Sequence, residues 1–288
     1  MRGNMKSRQI KSVIESTSTM EGAGVRLHRG FANEKAHLFD PFLLFDDFRA
    51  AKAEDFIKGF PWHPHRGIET ITYVLRGDVE HGDSLGNKGV IKGGDVQWMT
   101  AGSGIIHQEM PKGDTDGIME GFQLWANLPK NDKMMGPRYR DITAEQIPLL
   151  KQDNGVEIKV ICGQVDGVSG PVTDVVIQPE YLDVWVPPNA KFTHITDEQR
   201  TVFAYIYFGE GLFEDGAEEA LGDKKLVLYE AGGKVDITAK EQGLRFLLIS
   251  GKPLKEPIAW GGPIVMNTQE ELQLAFEELK KETFIKHS

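Results

Sequence analysis

An all-β fold, built as two barrels or sandwiches in tandem, is the class this chain predicts, on three observations. Short runs rich in Val, Ile, Thr, Tyr and Phe recur along most of its length, and glycine-containing turns separate them. The rhythm of the first half returns in the second, without sequence identity visible to the eye. Only the last stretch has helical spacing. At 288 residues the chain has room for two ordinary domains. We divide it into residues 1–137 and 138–288, in the break from Pro129 to Arg140 that contains Met134-Met135-Gly136-Pro137.

Taken in order, Ile10 to Ile14 and Val25 to His28 are the first expected strands, set in a polar, Ser/Thr-rich opening. The apolar segment Leu38 to Phe45 is interrupted by Pro41 and reads as core packing under a loop. Ile68 to Leu75 is a strand in composition; Gly77-Asp78, Gly86-Asn87 and Gly93-Gly94-Asp95 are turn signals before Val96 to Thr100. Phe122 to Leu128 alternates as a further strand. Ala144 to Leu150 reads as a short helical turn joining the halves. Beyond it the expected strands are Val156–Cys162, Val172–Ile177, Leu182–Val186, Thr201–Phe208, Lys225–Tyr229 and Leu244–Ser250. A helix is predicted from Gln269 to Phe284, with Leu272, Leu274, Ala275, Phe276 and Leu279 on one stripe and Thr268/Glu271 as a capping box.

Composition narrows the function. The net charge is −10 and no long Lys/Arg run exists, so direct nucleic-acid binding lacks the clustered cations it needs. Cys162 is the only cysteine, which forbids an intrachain disulfide and fits a reducing compartment. Arg2, Lys6, Arg8 and Lys11 are followed by no apolar core, and no apolar run approaches the roughly 20 residues of a membrane span. The expected location is cytoplasmic, and nuclear as well if the source is eukaryotic.

The richest stretch runs from Phe60 to Pro111. It opens on Trp62-His63-Pro64-His65 and closes on Ile106-His107-Gln108-Glu109. Residues two apart on a strand share a face, so two such strands of one sheet can bring His63, His65, His107 and Glu109 around a single ion. Three imidazoles and a carboxylate suit one divalent transition metal, with Fe(II), Mn(II), Ni(II), Cu(II), Zn(II) and Co(II) all compatible. Glu69 shares parity with His63 and His65 and could be a ligand, a partner orienting an imidazole, or a carboxylate at the barrel mouth; Gly67 could shift that register.

Other candidates have blander readings. His28, His37 and His287 stand singly in the sequence, outside any HxH or HxE pair, and read as surface or packing residues; His81, in Glu80-His81-Gly82-Asp83, reads as solvated. His194 stands roughly where a second site would begin, but that half has neither an HxH pair nor a later His-x-Glu, so no second metal is expected. Gly102-Ser103-Gly104 is a turn rather than a nucleophile elbow, and Cys162 sits inside an apparent strand.

Several of these segments resemble the pirin family. They are His63-Pro-His65-Arg66-Gly67-Ile68-Glu69-Thr70, the run from Gly94-Asp95 to Glu109-Met110-Pro111, Leu124-Trp125-Ala126-Asn127-Leu128-Pro129, and Gly262-Pro263-Ile264-Val265-Met266-Asn267-Thr268. Asp40-Pro41-Phe42-Leu43-Leu44-Phe45-Asp46 belongs to the same pattern. The resemblance implies a bicupin: two tandem cupin (jelly-roll-like) β-barrels with a C-terminal helix, and one metal, usually iron and so Fe(II) here, in the N-terminal barrel only. It carries the family's ligands onto His63, His65, His107 and Glu109. Thr100 stands where cupins at large often have proline, which is the pirin form; cupins at large would put the ligand carboxylate at Glu69.

The function implied is a metal-dependent quercetin 2,3-dioxygenase, opening a flavonol ring with O2 and releasing carbon monoxide. Glu109 or Glu69 would take the substrate's hydroxyl proton, and an apolar barrel wall would hold the flat aromatic substrate. The rival implied by the resemblance is a non-catalytic, iron-binding, redox-sensing cofactor of transcription regulators or other protein partners. A third reading is a metal-stabilised scaffold.

Overall fold

The computed structural model describes residues 5–287; Arg2 lies outside them. Strand β1 (Ile10–Glu15) is followed by β2 (Thr17–Glu21), β3 (Val25–Phe31) and β4 (Phe42–Asp47). The histidine-bearing β5 (Phe60–His65) leads across Gly67 into β6 (Ile68–Arg76), then β7 (Asp78–Asp83) and β8 (Lys88–Ile91). Next come β9 (Val96–Thr100), β10 (Ile105–Lys112), β11 (Glu120–Asn127) and β12 (Arg138–Ile142). The second half holds β13 (Leu149–Lys151), β14 (Glu157–Cys162), β15 (Gln164–Val165), β16 (Val168–Ser169), β17 (Glu180–Val186) and β18 (Lys191–Ile195). It continues with β19 (Thr201–Leu212), β20 (Leu221–Gly222), β21 (Lys225–Tyr229) and β22 (Lys234–Gly251). A short hairpin, β23 (Ala259–Gly261) and β24 (Ile264–Met266), precedes α1 (Gln269–Lys280), the one α-helix among the described residues.

The strands form two cupin-like units. One takes residues 17–144 and everything from Leu254 onward; the other takes the residues up to Ser16 and 145–253. This partition differs from a cut at 137/138. Strand β1 leaves the first half to pair antiparallel with β21, covering a sheet edge that would otherwise expose unpaired backbone groups. The chain after Leu254 returns to the first unit, where Ile264, Met266, Leu272, Ala275 and Phe284 bury together with Ile106 beside them. The helix predicted for the second barrel therefore packs on the first. It ends at Lys280 rather than Phe284, because Glu282 turns left-handed at φ 59°. Its capping box is present, Glu271 N donating to Thr268 Oγ1 at 3.2 Å and Thr268 N to Glu271 Oε2 at 3.1 Å.

In the unit holding residues 17–144, a seven-stranded sheet (order β12-β9-β6-β11-β4-β3-β2) faces a four-stranded one (β5-β10-β7-β8). In the other unit a nine-stranded sheet encloses an apolar interior: Val160, Leu182, Phe192, Phe213, Phe246 and Leu248 are fully buried in one cluster. One local expectation fails there. Val172–Ile177 is irregular apart from a bridge at Val172, since Asp174 and Gln178 turn left-handed (φ 58° and 46°). The helical turn expected in Ala144–Leu150 is present as a 3-10 turn over Ala144–Gln146, and strand β13 follows.

Two buried cations brace the end of β5. Arg66 donates from Nε to the Ser103 carbonyl at 2.7 Å and from Nη2 to the Phe284 carbonyl at 2.8 Å, and its Nη1 pairs with Glu278 at 2.8 Å. Lys133 Nζ donates to the carbonyls of Gly67 (2.9 Å) and Val265 (2.9 Å) and to Asn127 Oδ1 (2.7 Å). Gly67 itself sits at φ 78°, and a Cβ there would lie 2.0 Å from the Val265 carbonyl oxygen, so only glycine fits.

Candidate metal centre

His63 and His65 project from β5, and His107 from the neighbouring β10, where it is the direct cross-strand partner of His63. One ligand atom from each of the three imidazoles lies within 4.8 Å of the others. Each ring is oriented by its surroundings. His63 Nδ1 is 2.9 Å from the Pro61 carbonyl oxygen, and His65 Nδ1 is 3.0 Å from that of Pro263. A carbonyl can only accept, so Nδ1 carries the proton in both rings and Nε2 keeps its lone pair. Trp125 packs edge-on against His65 with ring centres 5.0 Å apart.

The two Nε2 atoms then meet at 3.0 Å with lone pairs facing. That contact is repulsive unless a positive charge is shared between them. A proton would have to make an imidazolium, and burial opposes it: desolvation, with the His63 charge next, holds His65 down to about 3. Burial lowers His63 too, and lowers His107 well below the histidine range, with His65 and His63 adding to the effect. His107 is fully buried, and neither of its nitrogens has a hydrogen-bond partner. Orphaned imidazole nitrogens beside two facing lone pairs fit a divalent transition metal, a class for which neutral imidazole is a preferred ligand.

Glu109 shares the inward face of β10 with His107 and is 7% exposed. Its carboxylate stands outside the three-imidazole group, and its Oε1 accepts from Thr72 Oγ1 at 2.8 Å. Burial pushes Glu109 up to about 7, the Thr72 hydrogen bond working against the rise. A pocket of about 600 Å³ opens beside these groups. His63, His65, Glu109, Thr72 and Gln123 line one part of it, and Val25, Leu27, Phe48, Phe56 and Val79 supply an apolar wall. Arg29 also lines it, held by Asp46 (2.8 and 2.9 Å) and Glu21 (2.7 Å).

The structure corrects the reading of Glu69. Thr72 reaches Glu109, so the even-numbered side chains of β6 face the pocket; Glu69, three residues away, faces the other side. There it accepts from Thr100 Oγ1 at 2.6 Å, and burial raises its pKa. The left-handed turn at Gly67 breaks the parity counted from His63. His81 is likewise not solvated: it is 5% exposed, pairs across from Glu109 and bonds through Nδ1 to Tyr139 Oη at 2.7 Å. In the other unit His194 Nε2 bonds to Glu180 at 2.8 Å. Thr72, Gln123, Trp125 and the Pro263 carbonyl are site groups that the sequence reading missed. Only cross-strand register, such as Gln123 opposite Thr72, reveals them.

Two antiparallel barrels in one chain, one of them carrying an imidazole cluster at the wall of an apolar pocket, define a bicupin. Residues 24–126 match the family model for pirin, and residues 181–285 match that for the pirin C-terminal cupin domain. A pirin-like protein of Caulobacter vibrioides is 40% identical over 281 residues, 97% of this chain and 100% of the relative. The chain belongs to the pirin family. The crystal structure of a quercetin 2,3-dioxygenase from Acinetobacter baumannii superposes with a TM-score of 0.87 at 30% identity, covering 97% of this chain and 99% of that one. A bacterial pirin of Escherichia coli, YhhW, solved in complex with nickel(II), shares the fold at 21% identity, with a TM-score of 0.65 over 84% of this chain and 98% of that one. Among the described residues no helix is long and apolar enough to cross a membrane.

Proposed function

We propose that this pirin is a metal-dependent dioxygenase acting on a flavonol, a quercetin 2,3-dioxygenase, with His63, His65, His107 and Glu109 as the ligands of one ion, Fe(II) first among the candidates. The observation that carries the reading is the junction of the three imidazoles with the apolar pocket. A ligand-sized cavity of the kind that takes small molecules, about 300–1,000 Å³, here has a metal-ligating wall. The likeness to a structure described as a quercetin 2,3-dioxygenase supports the substrate class.

A bound divalent metal would supply Lewis acidity toward the substrate's hydroxyl and a route for electrons to dioxygen. The chain's own work is binding and proton handling. Val25, Leu27, Phe48 and Phe56 hold flat aromatic rings by apolar contact and keep water away. Glu109, the carboxylate in the pocket, takes the proton of the flavonol 3-hydroxyl; its burial, which raises it in the metal-free chain, favours proton uptake. The Arg29–Asp46–Glu21 cluster offers polar contacts to a hydroxylated ring.

The test is direct. Anaerobically Fe(II)-loaded protein mixed with quercetin should lose the flavonol absorption band on admission of air, with one O2 consumed per flavonol. Protein carrying a full equivalent of Fe(II) that leaves the band intact would overturn the proposal.

A further inference from the structure

We infer that Thr72, backed by Gln123, is a positioning residue for the metal centre, its hydroxyl fixing the orientation of the Glu109 carboxylate on the pocket wall that His63 and His65 also line. The inference rests on the proposed role of Glu109 as fourth ligand. Thr72 on β6 and Gln123 on β11 are direct cross-strand partners in the seven-stranded sheet, whereas Glu109 belongs to the four-stranded sheet opposite. The contact therefore ties the two sheets together at the site.

Strand geometry alone does not dictate where Glu109 points its carboxylate. Against β5 the register of β10 slips between His107 and Glu109: His107 opposes His63, but Glu109 opposes Phe60. A long side chain beyond a register slip needs a further contact to fix it, and the structure provides one. Thr72 Oγ1 lies 2.8 Å from Glu109 Oε1 and 2.6 Å from Gln123 Oε1. One hydroxyl has one proton and cannot donate to two oxygens. With Glu109 ionised, as a metal ligand is, turning the Gln123 amide end for end resolves the conflict, its Nε2–H donating to Thr72 and the hydroxyl proton being committed to Glu109. Oε1 is then held. Thr72 is 3% exposed, so water does not compete for this contact. Partners that orient a ligand in this way typically change metal affinity ten- to hundredfold when removed.

The experiment measures Co(II) affinity by competition with a chromophoric chelator, together with the Co(II) ligand-field absorption, at pH 8. Thr72→Val keeps the shape and removes the hydroxyl; Thr72→Ser restores it. The expected result is a ten- to hundredfold weaker affinity in Thr72→Val, with absorption bands moved toward those of Glu109→Ala. Thr72→Ser should stay within about threefold of wild type, and Gln123→Leu should fall between. Should Thr72→Val fail to fold, the comparison of Thr72→Ser with Gln123→Leu still decides the matter. Wild-type affinity and bands in Thr72→Val and Gln123→Leu, beside a weakened Glu109→Ala, would overturn the inference and leave Glu109 as ligand. An unaltered Glu109→Ala would overturn the ligand role itself.

Discussion

His63 Nε2 and His65 Nε2 face one another at 3.0 Å, with both Nδ1 atoms already donating to the carbonyls of Pro61 and Pro263. Two backbone carbonyls thus choose the tautomers, and the tautomers create a locus that attracts positive charge. The burial that keeps protons off His63, His65 and His107 keeps their lone pairs available to a metal across the neutral range.

One consequence concerns pH. The imidazoles need lose no proton when a metal binds near neutrality, because burial has already lowered them, His65 to about 3. Glu109, raised to about 7, does lose one on becoming a ligand. Affinity should rise about tenfold per pH unit up to pH 7 and level off above it. In the metal-free protein the same group stabilises the fold fully below its unfolded value, and that contribution is lost as pH rises through about 7. Co(II) titrations between pH 5.5 and 8 check this; a slope of three protons would contradict it.

The two candidate carboxylates should separate cleanly. Glu69→Gln keeps an acceptor for Thr100 on the far face of β6 and should leave metal affinity and flavonol turnover within about twofold. Glu109→Gln should lower turnover by about a hundredfold or more, the scale of a lost general base. Parallel kinetics on the two variants decide it, and a reversed order would refute the assignment.

The apolar wall can be tested without touching the ligands. Leu27, 2% exposed and lining the pocket, becomes an obstruction as Leu27→Trp. Catalytic efficiency toward quercetin should fall about tenfold or more, the metal content staying at one equivalent per chain. Undiminished efficiency would mean that the substrate binds elsewhere.

Lys133 carries a stability prediction. Lys133→Met leaves the Val265 carbonyl and Asn127 Oδ1 without this buried donor, while the Gly67 carbonyl keeps the Leu128 N–H at 3.3 Å. At roughly 1–3 kcal/mol for each stranded group, the loss should reach about 2–4 kcal/mol. Scanning calorimetry should show a Tm lower by roughly 5–10 °C. A shift under 2 °C would show that these acceptors find other donors.

The sequence made the strand rhythm and the three-histidine cluster legible because both depend on a period of two, which is local. His63 with His65, and His107 with Glu109, needed only that period. The role of Glu69 stayed open in the sequence because one left-handed glycine, Gly67, cancels the parity counted from His63. Thr72 and Gln123 were invisible because their role depends on which strand lies opposite which. The same is true of β1, which pairs with β21 more than 200 residues away, and of His81, buried by pairing with β10 despite its polar neighbours.

The central claim is that His63, His65 and His107 hold a transition metal together with Glu109. Elemental analysis after Fe(II) loading and desalting under argon tests it most directly. The account predicts about one equivalent of iron per wild-type chain and less than about a tenth of that in His65→Ala and His107→Ala. Equal iron in the wild type and both variants would contradict it.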